Sequence, residues 1–204
     1  YGGISRYGLI AMGSSLDQAG TMTNSVRDAE IIFSAVSGKD RFDATTITPE
    51  TYPAVSIKDH YRIGVPRDFL SIGMEPDVLE RFNETITALT QAGHEIVDVS
   101  LPLMKRGLAA YYIAMPAEVS SNLARYDGVR FGYRSDFSKD APEDIAEFFS
   151  RNRGAGFGLE VKRRIMIGTY VLSAGYYDAY YLKAQKIRQL IRQDFIQAFK
   201  QVDV

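Results

Sequence analysis

The chain has 204 residues, of which 46% are hydrophobic and 24% charged, the ordinary balance of a soluble globular protein with one large or two small domains. A formal net charge of −1 excludes a bulk basic surface that would by itself drive nonspecific nucleic-acid binding, so any RNA contact must be local or made by a partner. The lack of cysteine excludes a disulfide framework, a thiolate metal site and a cysteine nucleophile, and fits a cytosolic setting.

Along the chain, residues 5–12 alternate, with Tyr7, Leu9 and Ala11 on one side, which predicts an extended segment. Ser25 is a good N-cap for a helix running to about Val36, with Val26, Ala29, Ile32, Phe33 and Val36 on one face and Gly38 as its stop. Residues 39–59, rich in Asp, Thr and Pro without helical period, read as a long surface loop. Residues 62–66 read as a short strand carrying Ile63 and Val65, and Pro76 opens a helix at a favourable first position. Val78, Leu79, Phe82, Ile86 and Leu89 form that helix's expected buried stripe, and Gly93 ends it before a strand over residues 94–101. Strand, helix and strand make a plausible βαβ unit, which requires a right-handed crossover and parallel pairing. The class is therefore α/β.

Beyond Pro102 the pattern is almost wholly helical, over residues 104–126, 142–151 and 159–201. Pro116 is expected to kink or break the first of these near Ala114, and Gly175 to break the last. The longest apolar runs are interrupted before the roughly 18 to 20 residues that span a bilayer, and the first residues carry no basic-then-apolar leader. A soluble protein with no targeting signal is expected. A first residue that is Tyr instead of Met suits an excised segment.

Few residues announce chemistry. Ser14, Ser15, Ser120, Ser121 and Ser173 lack a GxSxG elbow or an SxxK motif, so none is nominated as a nucleophile. RGAGFG at residues 153–158 invites a phosphate-loop reading, but a helix precedes it and no GxxxxGK[ST] follows; a mobile hinge or lid is the better expectation. Tyr170, Tyr176, Tyr177, Tyr180 and Tyr181, followed by Lys183, Lys186, Arg188 and Arg192, could stack on and neutralise single-stranded RNA. Their spacing more simply predicts a buried stripe with a solvated basic face. His60 and His94 have no second ligand at metal spacing and read as surface histidines. Arg163 and Arg164 are helix neighbours pointing about 100° apart, so they should not be interchangeable.

Three stretches carry a resemblance: YGGISRYGLIAMGSSLDQAG at the start, SSNLARYDGVRFGY at residues 120–133, and EVKRRIMIGTYVLSAGYYDAYYLKAQKIRQLIRQDF at residues 160–195. The first resembles amidase-signature enzymes broadly. The other two resemble, more narrowly, the A subunits of glutamyl/aspartyl-tRNA amidotransferases. Thr21 and Gly3 depart from a common proline and a usual arginine of that family. The resemblance covers nearly the whole chain and implies a partial amidase-signature fold over residues 1–204: a segment, helix and loop to residue 60, a βαβ unit over 61–103 and a helical region over 104–204.

It also implies glutamine as substrate, with Arg164 at its α-carboxylate and Tyr111 lining the pocket. The family's catalytic lysine and two serines belong to a segment ahead of residue 1, so no catalytic residue and no metal ligand is assigned here. The B and C subunits of the amidotransferase, Glu-tRNA or Asp-tRNA, and ATP with Mg2+ for the whole complex are implied, in the cytoplasm. The 204 residues alone are expected to be inactive and, with sheet edges and apolar faces uncovered, to self-associate. A stand-alone amidase and a non-catalytic docking or RNA-binding module are the competing readings.

Overall fold

Two short strands and the helix that joins them answer directly to the sequence pattern. In the computed structural model, which describes residues 1–48, 50, 57–70 and 73–204, β1 (Arg62–Val65) pairs in parallel with β2 (Glu95–Asp98). Arg62 stands opposite Glu95 and Val65 opposite Asp98. Parallel strands cannot be joined by a tight turn. Their crossover contains α2 (Pro76–Gln91), which starts with Pro76 in its first turn. The expected stripe on α2 holds for Leu79, Phe82, Ile86 and Leu89, which are half-buried, whereas Val78 is exposed. The class is α/β with a mostly helical remainder, as expected.

The remaining helices are α1 (Val26–Val36), α3 (Gly107–Asn122), α4 (Ile145–Gly156), α5 (Leu159–Leu172) and α6 (Lys183–Ala198). The chain divides into two compact units. One comprises Tyr1–Ala54 with Tyr112–Tyr181, the other Val55–Tyr111 with Leu182–Val204.

In the second unit the outer edge of β1 is covered by the chain's own end. The Gly64 N–H donates to the Val204 carbonyl at 2.8 Å, and the Asp203 N–H to the Arg62 carbonyl at 2.8 Å. The Asp203 carboxylate accepts from the Arg62 N–H at 2.9 Å and from Lys58 at 2.5 Å. Val65, Leu101, Ala198 and Val202 are buried, and Asp194 of α6 accepts from the Leu103 N–H at 2.8 Å. The expected bare edge at β1 is therefore corrected: backbone groups that need partners find them in residues 203 and 204.

The first unit is built on α3. Ala114, Met115, Pro116, Ala117, Val119 and Asn122 are buried along it. The helix is continuous through Pro116, so of the expected kink or break near Ala114 the break does not occur. Packing supplies the reason: Pro116 is among the most deeply buried side chains, and burial of this apolar turn offsets the lost N–H. A side chain at Gly168 of α5 would overlap the Pro116 carbonyl, so glycine is what lets α5 lie against this turn.

Residues 5–12 do not form a strand. The chain turns at Tyr7–Gly8, with the Leu9 N–H on the Arg6 carbonyl at 3.0 Å and Gly8 at φ 87°. Polar anchoring wins over apolar alternation here: the Ser5 hydroxyl donates to Asp40 at 2.6 Å and the Arg6 N–H to Asp43 at 2.9 Å. The SSLDQAG stretch is pinned onto α3. Ser15 donates through its N–H and hydroxyl to Glu118 at 2.9 and 2.5 Å, and the Asn122 amide donates to the Met12 carbonyl and Ser14 hydroxyl.

The N-cap at Ser25 is as expected, its hydroxyl accepting from the Asp28 N–H at 3.1 Å, and Gly38 follows the helix at positive φ. The apolar face of α1 is exposed. Of the loop expected over residues 39–59, positions 49 and 51–56 lie outside the described residues, while the part around Asp40, Asp43 and buried Thr46 is a tightly hydrogen-bonded turn.

The helix expected from Pro142 begins at Ile145, because Asp144 caps it through Glu147 N–H at 2.8 Å and Glu147 reaches back to Glu143 N–H at 2.6 Å. It runs on through Arg153–Gly156, so RGAG is the last helical turn, and only Phe157–Gly158 of the expected hinge or lid segment lies between α4 and α5. Arg153 fixes that turn by donating to the Leu123 and Tyr126 carbonyls at 2.8 and 3.0 Å, satisfying the orphan acceptors where α3 gives way to a 3-10 turn. The break at Gly175 is present, at φ 85°, followed by a π-helical turn Tyr177–Leu182 that leads into α6.

Candidate functional site

The chemistry available on α5 starts from one carboxylate in its first turn. A negative charge is favoured there by the helix dipole, and Glu160 supplies it. Its two oxygens are divided: Oε1 accepts from Arg164 Nε at 2.9 Å, Oε2 from Arg163 Nη1 at 2.5 Å. The Arg164 hydrogen bond is the main cause that holds the Glu160 carboxyl below its ordinary range.

The two arginines differ as their angular separation requires. The Arg164 side chain is 28% exposed and that of Arg163 60% exposed. The Arg164 guanidinium also lies 5.9 Å from the Tyr112 ring centroid, near the outer limit of cation–π attraction. The first unit thus brings Arg164 together with Glu160 and Tyr112. Sequence reasoning passed over both partners, although a Glu four residues before an Arg on a helix is a readable signal. Tyr111, the second residue expected at glutamine, is 39% exposed and belongs to the other unit.

Four of the five serines without a motif serve local structure. Ser120 and Ser173 donate back to the carbonyls of Ala117 and Tyr170, while Ser14 and Ser15 hold the N-terminal stretch to α3. A cavity of about 490 Å³ is lined by Arg6, Tyr7, Met12, Asp17, Gln18 and Phe42 among others. Arg6 is its anchor, donating to the Ser14 and Asp17 carbonyls and the Tyr1 hydroxyl; Asp17 in turn accepts from the N–H groups of Met12 and Gly13. Both charged groups are thereby engaged in holding the loop.

The expected buried tyrosine stripe is corrected as well. Tyr170, Tyr176, Tyr177 and Tyr180 are exposed and Tyr181 is half-buried; Tyr170, Tyr176 and Tyr180 pack on one another, with Tyr170 and Tyr176 ring centroids 4.2 Å apart, while Tyr177 packs on Tyr181. The hydrogen bond between Tyr170 and Tyr176 pushes the Tyr170 phenol up to about 12. His94 is half-buried, its Nδ1 accepting from the Tyr61 N–H at 3.1 Å, so it ties the start of one strand to the other and is no plain surface histidine. Among the described residues no group of three or more His, Cys, Asp or Glu side chains is placed to hold a metal ion. Among them, too, no helix is long and apolar enough to cross a membrane.

The described residues thus form a parallel βαβ unit and a mostly helical remainder, with an arginine paired to a carboxylate on α5. The chain belongs to the amidase family, whose model matches residues 1–204. It is 50% identical to the A subunit of glutamyl-tRNA(Gln) amidotransferase from Persephonella marina, with all of this chain aligned to 42% of that protein. The same subunit from Granulibacter bethesdensis is 51% identical, again over the whole chain and 41% of the relative. The crystal structure of the Thermotoga maritima A subunit of glutamyl-tRNA(Gln) amidotransferase superposes with a TM-score of 0.65 at 38% identity, covering 99% of this chain and 39% of that one. The chain therefore spans about two fifths of the length of the relatives it matches.

Proposed function

We propose that these residues are one partial amidase domain, a part of the glutamine-hydrolysing subunit of a tRNA-dependent amidotransferase. The observation that carries this reading is 50% identity, along the entire chain, to the A subunit of a glutamyl-tRNA(Gln) amidotransferase. In this reading the full-length enzyme releases ammonia from the glutamine side-chain amide. The ammonia converts Glu-tRNA(Gln) to Gln-tRNA(Gln), or Asp-tRNA(Asn) to Asn-tRNA(Asn), for translation. The attacking serine, its companion serine and the lysine base belong to a segment ahead of residue 1.

The part played by the present residues is recognition. A guanidinium is a planar fork that donates parallel charge-assisted hydrogen bonds to a carboxylate, and Arg164 takes the glutamine α-carboxylate. Tyr111 walls the same substrate, its ring supplying apolar surface and its hydroxyl a donor or acceptor. Both hold glutamine so that its amide carbon meets the serine, which is orientation and not bond making.

The partners in this reading are the B and C subunits of a cytoplasmic heterotrimer and the acylated tRNA it holds. ATP and Mg2+ would belong mainly to the chemistry of the B subunit; no residue of this chain is assigned to them. Residues 1–204 alone are inactive and self-associate. The full-length chain with its partner subunits, supplied with glutamine, ATP, Mg2+ and Glu-tRNA(Gln) or Asp-tRNA(Asn), tests the reading. Ammonia release from glutamine together with amidated tRNA is the expected outcome. Hydrolysis of simple amides with glutamine ignored would make the protein a stand-alone amidase.

A further inference from the structure

A residue that grips a carboxylate through two parallel hydrogen bonds must present its guanidinium plane at a fixed angle. An arginine has several soft side-chain torsions, and freezing them at the moment of binding costs affinity. The environment of Arg164 addresses this cost from two sides. Glu160 holds the Nε edge at 2.9 Å, and the Tyr112 ring stands 5.9 Å from the guanidinium carbon. Glu160 itself cannot swing freely, because its second oxygen is held by Arg163 at 2.5 Å.

We propose that Glu160 is a positioning residue for substrate: it sets the plane of the Arg164 guanidinium, and Arg163 acts as its outer brace. The proposal rests on the reading that Arg164 receives the glutamine carboxylate. It gives the neighbouring arginines separate tasks from one geometry, the half-buried one for substrate and the exposed one for alignment. Glu160 touches no reacting atom, so its removal acts on substrate affinity and leaves the chemical step intact. What the interaction requires of residue 160 is an acceptor oxygen at the right reach. Glutamine at this position retains the acceptor while losing the charge.

The experiment uses the full-length chain in its assembled enzyme, with ammonia release measured against glutamine concentration for Glu160→Ala, Glu160→Gln and Arg164→Ala. Glu160→Ala is expected to raise the glutamine KM about two- to fivefold, the scale of a part-exposed charged contact, with kcat unchanged. Glu160→Gln is expected to recover most of that loss. A purely structural role would instead lower the amount of folded enzyme without moving KM. The inference is overturned if Arg164→Ala raises KM while Glu160→Ala leaves it unchanged, or if Glu160→Ala acts on kcat alone. An unchanged KM in Arg164→Ala overturns the carboxylate reading itself and the positioning role with it.

Discussion

Two adjacent arginines share one carboxylate on α5 and are buried to different extents. Their helical angle alone demanded that they differ, but only family resemblance singled out Arg164, since neighbouring arginines on a helix are ordinarily solvated. Glu160 was readable from its i, i+4 spacing and was missed because such pairs are common and weak. Tyr112 could not be read at all: its approach to Arg164 depends on how α3 and α5 pack. A second carboxylate makes a pH prediction. The Asp43 carboxyl is pulled down to about 2, first by the Thr45 hydroxyl and then by the N–H groups of Arg6 and Thr45. Its folded-state value lies below the ordinary carboxylate value of about 3.9. The stability it contributes is therefore present above that ordinary value and is lost as the pH falls through about 2. A carboxyl ¹³C titration should place the Asp43 midpoint near 2; a midpoint near 4 would mean that the turn around Thr45 and Thr46 is not formed.

Elements with chemical punctuation were legible. Ser25 ahead of α1 and Pro76 within α2 did what caps and fixed φ values do, so Ser25→Ala should lower stability by about 1 kcal/mol in urea unfolding. Elements decided by distant partners were not legible. Alternation at Tyr7, Leu9 and Ala11 imitates a strand, yet Asp40 and Asp43 capture Ser5 and Arg6 and turn the chain. The glycines of RGAG look like a hinge, yet Arg153 ties that turn to two carbonyls beyond α3. Glycine thus plays opposite roles on neighbouring helices. Gly168→Ala drives a methyl group into the Pro116 carbonyl and should cost at least about 2 kcal/mol. Gly154 has open space around its Cα within α4, and Gly154→Ala should gain about 0.5 to 1 kcal/mol by reducing unfolded-chain entropy. Equal effects of the two substitutions would contradict the close approach of α5 to the Pro116 turn.

Over the whole chain, the parallel βαβ unit and helical remainder followed from periodicity, whereas the coverage of β1 by residues 203 and 204 did not, because pairing across so long a sequence separation leaves no local trace. That coverage removes one route to association. Apolar side chains on α1, among them Val26, Ile32, Phe33 and Val36, remain exposed, and large exposed apolar surface favours self-contact. Sedimentation of residues 1–204 should accordingly show mass increasing with concentration, and Phe33→Asp should diminish the increase; a monomer throughout would contradict this. The central proposal is that Arg164 holds glutamine through its α-carboxylate. Steady-state kinetics of glutamine hydrolysis by the full-length assembled enzyme, comparing Arg164→Ala with Arg163→Ala, tests it most directly. Loss of a charge-assisted contact worth about 1.5 to 3 kcal/mol should raise KM by about ten- to 150-fold in Arg164→Ala, with Arg163→Ala within about threefold of the unaltered enzyme. Equal KM values in the two variants, or a larger loss in Arg163→Ala, would contradict the account.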